Sequence, residues 1–217
     1  MTAPPAFSDR VAAGRELGAR LADVVPARDV VVLGLARGGV PVAAGVAAAL
    51  GAALDVFVVR KLGAPGRPEL AVGAIAGGGV RVLNDDVVRR LQVPAEALER
   101  VARQETAELE RREAAYRAGR PPLDPSGKHV VLVDDGLATG STMRAAVQAV
   151  RRLRPLAVVV AVPVGAAESC RLLEREADRA VCLHVPRRFL AVGAHYADFR
   201  QTTDAEVRQA LAAGPAA

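Results

Sequence analysis

One stretch constrains this chain more than any other. Residues 130–142 read Val-Val-Leu-Val-Asp-Asp-Gly-Leu-Ala-Thr-Gly-Ser-Thr. The opening apolar run reads as a strand buried on both faces, which a parallel sheet covered by helices provides. Two carboxylates, Asp134 and Asp135, follow at its C-terminal edge, where open α/β sheets bind ligands. Small residues then lead into a helix from about Ser141, with Met143, Ala146, Val147 and Val150 on one face. The expected fold class is therefore α/β, a parallel β-sheet flanked by helices.

The rest of the chain repeats the alternation. Ser8 or Asp9 caps a first helix to about Val25. Val30–Leu35 is a fully buried strand, Gly38-Gly39 a turn, and an Ala-rich helix runs to about Leu50. Leu54–Val59 is a second buried strand ending in Arg60-Lys61. Leu62–Arg67, with two glycines and a proline, reads as loop. Ala71–Leu83 reads as a hairpin around Gly77-Gly78-Gly79. Pro94–Gly119 reads as a long, mostly solvated charged helix, and Pro121–Gly127 as a linker. Strands at Val130–Val133, Ala157–Val162 and Ala180–Val185 enclose helices at Ser141–Leu153 and Ala166–Glu176. An irregular tail, Pro186–Asp204, precedes a last helix at Asp204–Leu211.

Composition narrows the class. The chain has 217 residues, 51% of them hydrophobic, enough for one domain over 1–217 with a well-buried core. Two cysteines, Cys170 and Cys182, make no disulfide framework and are expected as separate reduced core thiols. No run of about 20 apolar residues appears, and Met1–Asp9 lacks the pattern of a secretory signal. A cytoplasmic protein with no membrane partner is expected. The net charge of +5 raises nucleic-acid binding, but the arginines are scattered among glutamates and no aromatic-interleaved binding motif occurs, so no nucleic-acid partner is expected. A phosphate-rich small ligand suits the same charge.

The chemistry of 130–142 is specific. Neighbouring strand-end carboxylates accept hydrogen bonds from the two vicinal hydroxyls of a ribose, and charged acceptors do so strongly. Ala138, Thr139, Gly140, Ser141 and Thr142 bring backbone N–H groups, hydroxyls and a positive helix end around a monophosphate. The lysine of the nucleoside-triphosphatase loop is missing, which disfavours that class.

This segment resembles the thirteen-residue phosphoribosyl pyrophosphate (PRPP) signature of type I phosphoribosyltransferases. The resemblance implies that Asp134 and Asp135 hold the ribose hydroxyls and that 138–142 hold the 5′-phosphate. Leu35-Ala36-Arg37-Gly38-Gly39 resembles that family's pyrophosphate loop, which implies contacts from Ala36, Arg37, Gly38 and Gly39 and a non-proline cis peptide near Ala36-Arg37. Outside the family context, Arg-Gly-Gly reads equally as a plain tight turn. Arg60-Lys61 resembles the basic pair opening a mobile hairpin loop, here about 62–79, that closes over PRPP; without that context it reads as a solvated strand end. A charged helical insert spans about 84–120. The tail, with Phe189, Tyr196 and Phe199, resembles a small C-terminal hood, about 186–204, in which Phe189 stacks on a nucleobase or clamps the sheet. His195 is expected in a structural or surface role.

The resemblance further implies a pentosyltransferase that moves the 5-phosphoribosyl group from PRPP to a small-molecule nitrogen acceptor such as a nucleobase, releasing pyrophosphate. Mg²⁺ is the expected cofactor, bridging pyrophosphate and ribose oxygens, with Asp134 and Asp135 acting on it indirectly, through ribose or water. Arg37, Arg60 and Lys61 offset the leaving-group charge. Ala138 stands where hypoxanthine-guanine enzymes carry an aspartate, so that proton-transfer group is missing; Glu69 in the loop is the candidate general acid or base. A homodimer through the charged helix is expected by analogy. Two other functions use the same residues: a non-catalytic PRPP or nucleotide sensor, and a hydrolase of a ribosyl phosphate.

Overall fold

The computed structural model describes residues 5–214, with the side chains of Pro68 and Glu69 outside the described set. In chain order the elements are α1 (Arg10–Leu21), β1 (Val30–Leu35), α2 (Gly39–Leu50), β2 (Ala53–Phe57), β3 (Val59–Ala64), β4 (Arg67–Ala76), β5 (Val80–Leu83), α3 (Asp85–Arg90), α4 (Ala95–Arg117), β6 (His129–Val133), α5 (Ser141–Arg152), β7 (Ala157–Val164), α6 (Ala167–Glu176), β8 (Arg179–His184) and α7 (Asp204–Ala213). Five strands form one parallel sheet in the order β2-β1-β6-β7-β8. The expected α/β class is what the chain adopts.

Alternation along each central strand feeds two cores. Val31, Leu33, Val130, Leu132, Val158 and Val160 face α5 and α6. Val32, Val131, Val133 and Val159 face α1, α2 and α7. Helix starts are set locally: Asp9 accepts from Ala12 N at the head of α1, and Thr203 with Glu206 forms a capping box on α7. Helices α1 and α2 cross at glycines. A Cβ on Gly14 would lie 2.4 Å from the Val42 carbonyl oxygen, so the backbones meet only because no side chain intervenes.

Two expectations are corrected and one is refined. The stretch 62–67 is not loop: β3 runs through Ala64, β4 begins at Arg67, and β3-β4-β5 make an antiparallel sheet. Only Pro65-Gly66 turns. Cross-strand pairing and the burial of Leu62 and Val72 override the loop propensity of the glycines. Arg60 and Lys61 therefore sit inside β3 and not at the end of the second buried strand, which stops at Phe57. Second, α4 is mostly solvated, as expected, with four of its 23 residues buried. It buries Leu98, Ala102, Leu109 and Tyr116 in the main core, and it packs against β3, β4 and α7. Third, Cys170 on α6 and Cys182 on β8 are joined as a disulfide, with Cα atoms 6.6 Å apart. The α6–β8 connection folds back so that the two residues face each other, within the Cα range a disulfide spans.

Among the described residues, no helix is long and apolar enough to cross a membrane.

Candidate active site

The sheet order places a switch point between β1 and β6. From β1 the chain winds outward to β2; from β6 it winds the other way to β7 and β8. The crevice at the C-terminal ends of β1 and β6 is where such a sheet binds ligands. The turns that leave these two strands carry the residues singled out from sequence.

After β1, the Ala36–Arg37 peptide is cis, as expected. Gly39 then lies against the end of β6: a Cβ there would be 2.5 Å from the Val133 carbonyl oxygen and 2.8 Å from Asp134 Cα. Only glycine permits this approach. The Arg37 guanidinium points away from the crevice mouth to Asp204, at 3.5 Å, where Tyr116 also donates a 2.9 Å hydrogen bond.

After β6, Asp134 and Asp135 are largely buried. Burial pushes the Asp134 carboxyl well above the usual range, and the neighbouring Asp135 charge adds to this. Asp134 Oδ1 accepts the Asp135 N–H at 2.9 Å. Burial raises Asp135 too, opposed by Arg10, whose Nε and Nη2 lie 2.9 and 2.8 Å from Asp135 Oδ2. The two carboxylates thus differ: Asp135 is ion-paired with Arg10, whereas Asp134 feels the Arg10 charge more weakly than its own burial and, among the described residues, forms no ion pair.

The following turn opens α5. Gly140 takes the left-handed conformation (φ 71°) and gives α5 no side-chain cap; Ser141 N donates to Thr139 Oγ1 at 3.4 Å, and the positive end of the helix favours an anion. Ala138 is exposed and its carbonyl oxygen accepts from Ser169 Oγ at 2.6 Å, which pins the turn to α6. Thr139 Oγ1 and Ser141 Oγ are 3.1 Å apart, and Lys61 Nζ, reaching across from β3, donates to Ser141 Oγ at 2.7 Å. Lys61 is therefore brought to the phosphate-type turn. Arg60 Nε and Nη2 are clamped by Glu105 of α4, at 2.7 and 2.6 Å.

A cleft of about 690 Å³ brings part of these segments together, while Asp134, Asp135, Arg37–Gly39 and Ala138–Ser141 are not in its lining. Ala36, Arg60, Lys61 and Thr142 line it, with Val101 and Glu105 of α4. Residues from separate sequence stretches converge there. Glu69 lies in β4, and its side chain is outside the described residues.

The tail forms a cover over the carboxylate turn. A Cβ on Gly136 would meet Val192 Cγ1 at 2.6 Å, and Tyr196 Oη donates to the Asp135 carbonyl oxygen at 2.6 Å. Phe189 stacks on His195 with ring centroids 5.8 Å apart. His195 sits between Phe189 and His184, in the structural role expected of it; burial lowers its pKa.

Arg10, Tyr196, Glu105 and Ser169 were not candidates in the sequence. Each touches the site through a contact between distant segments, so no local pattern marks them. The one usable signal was the concentration of aromatics in the tail.

Among the described residues, no group of three or more metal-ligating side chains occurs. Asp134 and Asp135 are hard oxygen donors of the kind Mg²⁺ takes. Two carboxylates on one turn suit an ion that draws its other ligands from substrate oxygens and water.

A sequence profile of the phosphoribosyl transferase domain matches residues 65–195. A Mycobacterium tuberculosis protein, provisionally named a phosphoribosyl transferase, is 51% identical over 201 residues; the match covers 93% of this chain but 45% of the relative, so the chain spans about half of that protein's length. The crystal structure of TT1426 from Thermus thermophilus is similar with a TM-score of 0.86 at 45% identity, covering 96% of this chain and 99% of that one. The two chains share one fold over nearly their whole lengths. With the profile match spanning the carboxylate turn, the helix start and most of the hairpin sheet, this chain belongs to the phosphoribosyltransferase family.

Proposed function

We propose that the protein transfers the 5-phosphoribosyl group of PRPP to a nitrogen nucleophile and releases pyrophosphate. The observation that carries this reading is the convergence, on one cleft, of Ala36, the Arg60-Lys61 pair and Thr142 in the first turn of α5, the helix that follows the half-buried Asp134–Asp135 turn.

Each part has a physical role in this reading. The α5 start and the Thr139 and Ser141 hydroxyls receive the 5′-phosphate, with Lys61 adding a positive charge there. Asp134 and Asp135 accept the ribose hydroxyls. Ala36, Arg37, Gly38 and Gly39 line the leaving-group side, where the close backbone approach admits a pyrophosphate. Arg60 is already neutralised by Glu105, and Arg37 faces Asp204. Offsetting leaving-group charge through these arginines therefore requires their carboxylate partners to yield. Mg²⁺ supplies further charge neutralisation when bound, held through Asp134 and Asp135 by way of ribose or water. The β3-β4-β5 sheet walls the cleft and excludes water from an oxocarbenium-like transition state. Glu69 is the candidate proton-transfer group, since Ala138 brings none. A nucleobase fits as acceptor, and a cytoplasmic site and a homodimer accompany the reading by family analogy.

The test is PRPP binding by calorimetry, followed by a pyrophosphate-release screen over purines, pyrimidines and amines. The parent is expected to bind PRPP, and Asp134→Asn/Asp135→Asn to lose binding. Equal affinity in the double variant overturns the assignment of the sugar ligands. Binding with no pyrophosphate release for any acceptor makes the protein a sensor; ribose phosphate released without an acceptor makes it a hydrolase.

A further inference from the structure

Asp135 is enclosed by a closed ring of contacts. Its Oδ2 accepts a hydrogen bond from Arg10 Nε at 2.9 Å and forms an ion pair with Arg10 Nη2 at 2.8 Å. The Arg10 guanidinium lies over the Phe199 ring, 4.0 Å from its centroid, and its Nη1 donates to the Arg200 carbonyl oxygen at 2.8 Å. Phe199 packs on Tyr196, with centroids 5.0 Å apart, and Tyr196 Oη returns to the Asp135 carbonyl oxygen at 2.6 Å. Three distant segments, α1, the tail and the turn after β6, thus meet on one carboxylate.

The pair is not a surface ion pair of small effect. The side chains of Arg10 and Asp135 are 12% and 16% exposed, so water screens the contact little. The contact is also directional. The guanidinium is fixed by a ring face and a carbonyl before it meets the carboxylate, and a fork held in this way loses little entropy on pairing. On the other side, Gly38 closes in: a Cβ there would lie 2.1 Å from Asp135 Oδ2. Oδ2 is wedged between the Gly38 backbone and Arg10. Oδ1 takes part in none of these contacts.

We infer that Arg10 is a positioning residue for Asp135. It takes one carboxylate oxygen out of play and fixes the other as a single hydrogen-bond acceptor for the sugar, while Asp134 keeps its own free oxygen for the neighbouring hydroxyl. The inference rests on the PRPP reading of the site and deepens it, because it assigns the two acids different duties. It also ties sugar recognition to the docking of the tail on α1: the same Phe199 and Tyr196 that cover the turn hold the arginine that orients it.

A purely structural Arg10 and a positioning Arg10 differ in what they disturb. Among the described residues, the hydrogen bonds of the phosphate turn at the start of α5 run to Lys61, to Ser169 and within the turn, and none runs to Arg10 or the tail. The test therefore compares inorganic phosphate, ribose 5-phosphate and PRPP as calorimetric ligands of the full chain, for the parent, Arg10→Met and Arg10→Lys. Positioning predicts that both variants keep parental affinity for inorganic phosphate. Affinity for ribose 5-phosphate and PRPP falls by about 10–100-fold in Arg10→Met, by analogy with the loss of a residue that orients a metal-binding carboxylate. Arg10→Lys, which keeps the charge but not the fork, recovers the melting temperature more fully than it recovers sugar affinity. Loss of phosphate affinity in step with sugar affinity in both variants overturns the inference, since the damage is then general. So does parental affinity for ribose 5-phosphate in Arg10→Met. A parent that binds phosphate but neither sugar ligand overturns the PRPP reading itself, and the Arg10 inference with it.

Discussion

Asp55 offers the sharpest test of what holds the helical insert to the sheet. It lies in β2 and is 1% exposed. Arg117, at the end of α4, grips it with two N–H groups, Nε to Oδ1 at 3.0 Å and Nη2 to Oδ2 at 2.9 Å. Arg120 Nη1 stands 3.8 Å away, and Val56 N donates to Oδ1 at 2.7 Å. In Asp55→Ala, two guanidiniums that are 15% and 13% exposed lose their counter-charge. Breaking a buried pair on one side costs about 3–5 kcal/mol. The lower end applies here, because Arg117 keeps the Pro121 carbonyl oxygen and Arg120 keeps those of Leu54 and Leu211. At about 2–4 °C per kcal/mol for a chain of this size, a loss of about 3 kcal/mol lowers the melting temperature by about 6–12 °C. Differential scanning calorimetry on Asp55→Ala, Arg117→Ala and the double variant reads this. The two residues touch, so the double variant is expected to lose at least about 1 kcal/mol less than the sum of the singles. Singles that shift the melting temperature by less than about 2 °C, or that add within about 0.5 kcal/mol, refute the claim that this pair fastens α4 to the sheet.

Two further predictions concern the site. Burial raises the folded-state pKa of Asp134 well above its usual value of 3.8, so the folded chain holds that proton more tightly than the unfolded one. The sign follows from linkage: stability falls as pH rises from about 4 through the raised value, and the penalty is complete above it. Asp134→Asn removes the penalty while keeping an oxygen for the Asp135 N–H. Its melting temperature is expected to exceed the parent's at about pH 8 and to converge with it near about pH 4; a variant less stable than the parent at both overturns the account. Gly140→Ala places a Cβ in a left-handed residue, at φ 71°, with 3.5 Å to Ser169 Cβ. Space is adequate, so the cost is the conformational strain of about 1–2 kcal/mol, read as a lower urea midpoint with unchanged slope. A larger loss would mean that packing against α6 dominates.

The sequence by itself determined the sheet, most of the helices and the ligand-bearing turn, because these are short-range matters. Val30–Leu35 and Val130–Val133 are too apolar to face water on either side, so they must be central strands of a covered sheet. The Asp-Asp turn and the small residues after it have one local geometry at a strand end, and the cis peptide at Ala36–Arg37 came with the resemblance those residues carry. Tertiary structure alone decided the rest. Nothing local says that Leu62 and Val72 are buried together in β3 and β4, because strand pairing is chosen by what covers it, here α4 and α5. The same holds for α4: its charged sequence reads as solvated, yet Asp55 and the apolar edge of β3 draw one face inward. The cysteines meet because α6 folds back on β8. Above all, Asp134 and Asp135 are adjacent and alike in sequence, and they become unlike only when Arg10, brought by α1 and braced by the tail, comes to rest on one of them. Burial and long-range contact, not residue type, set that difference.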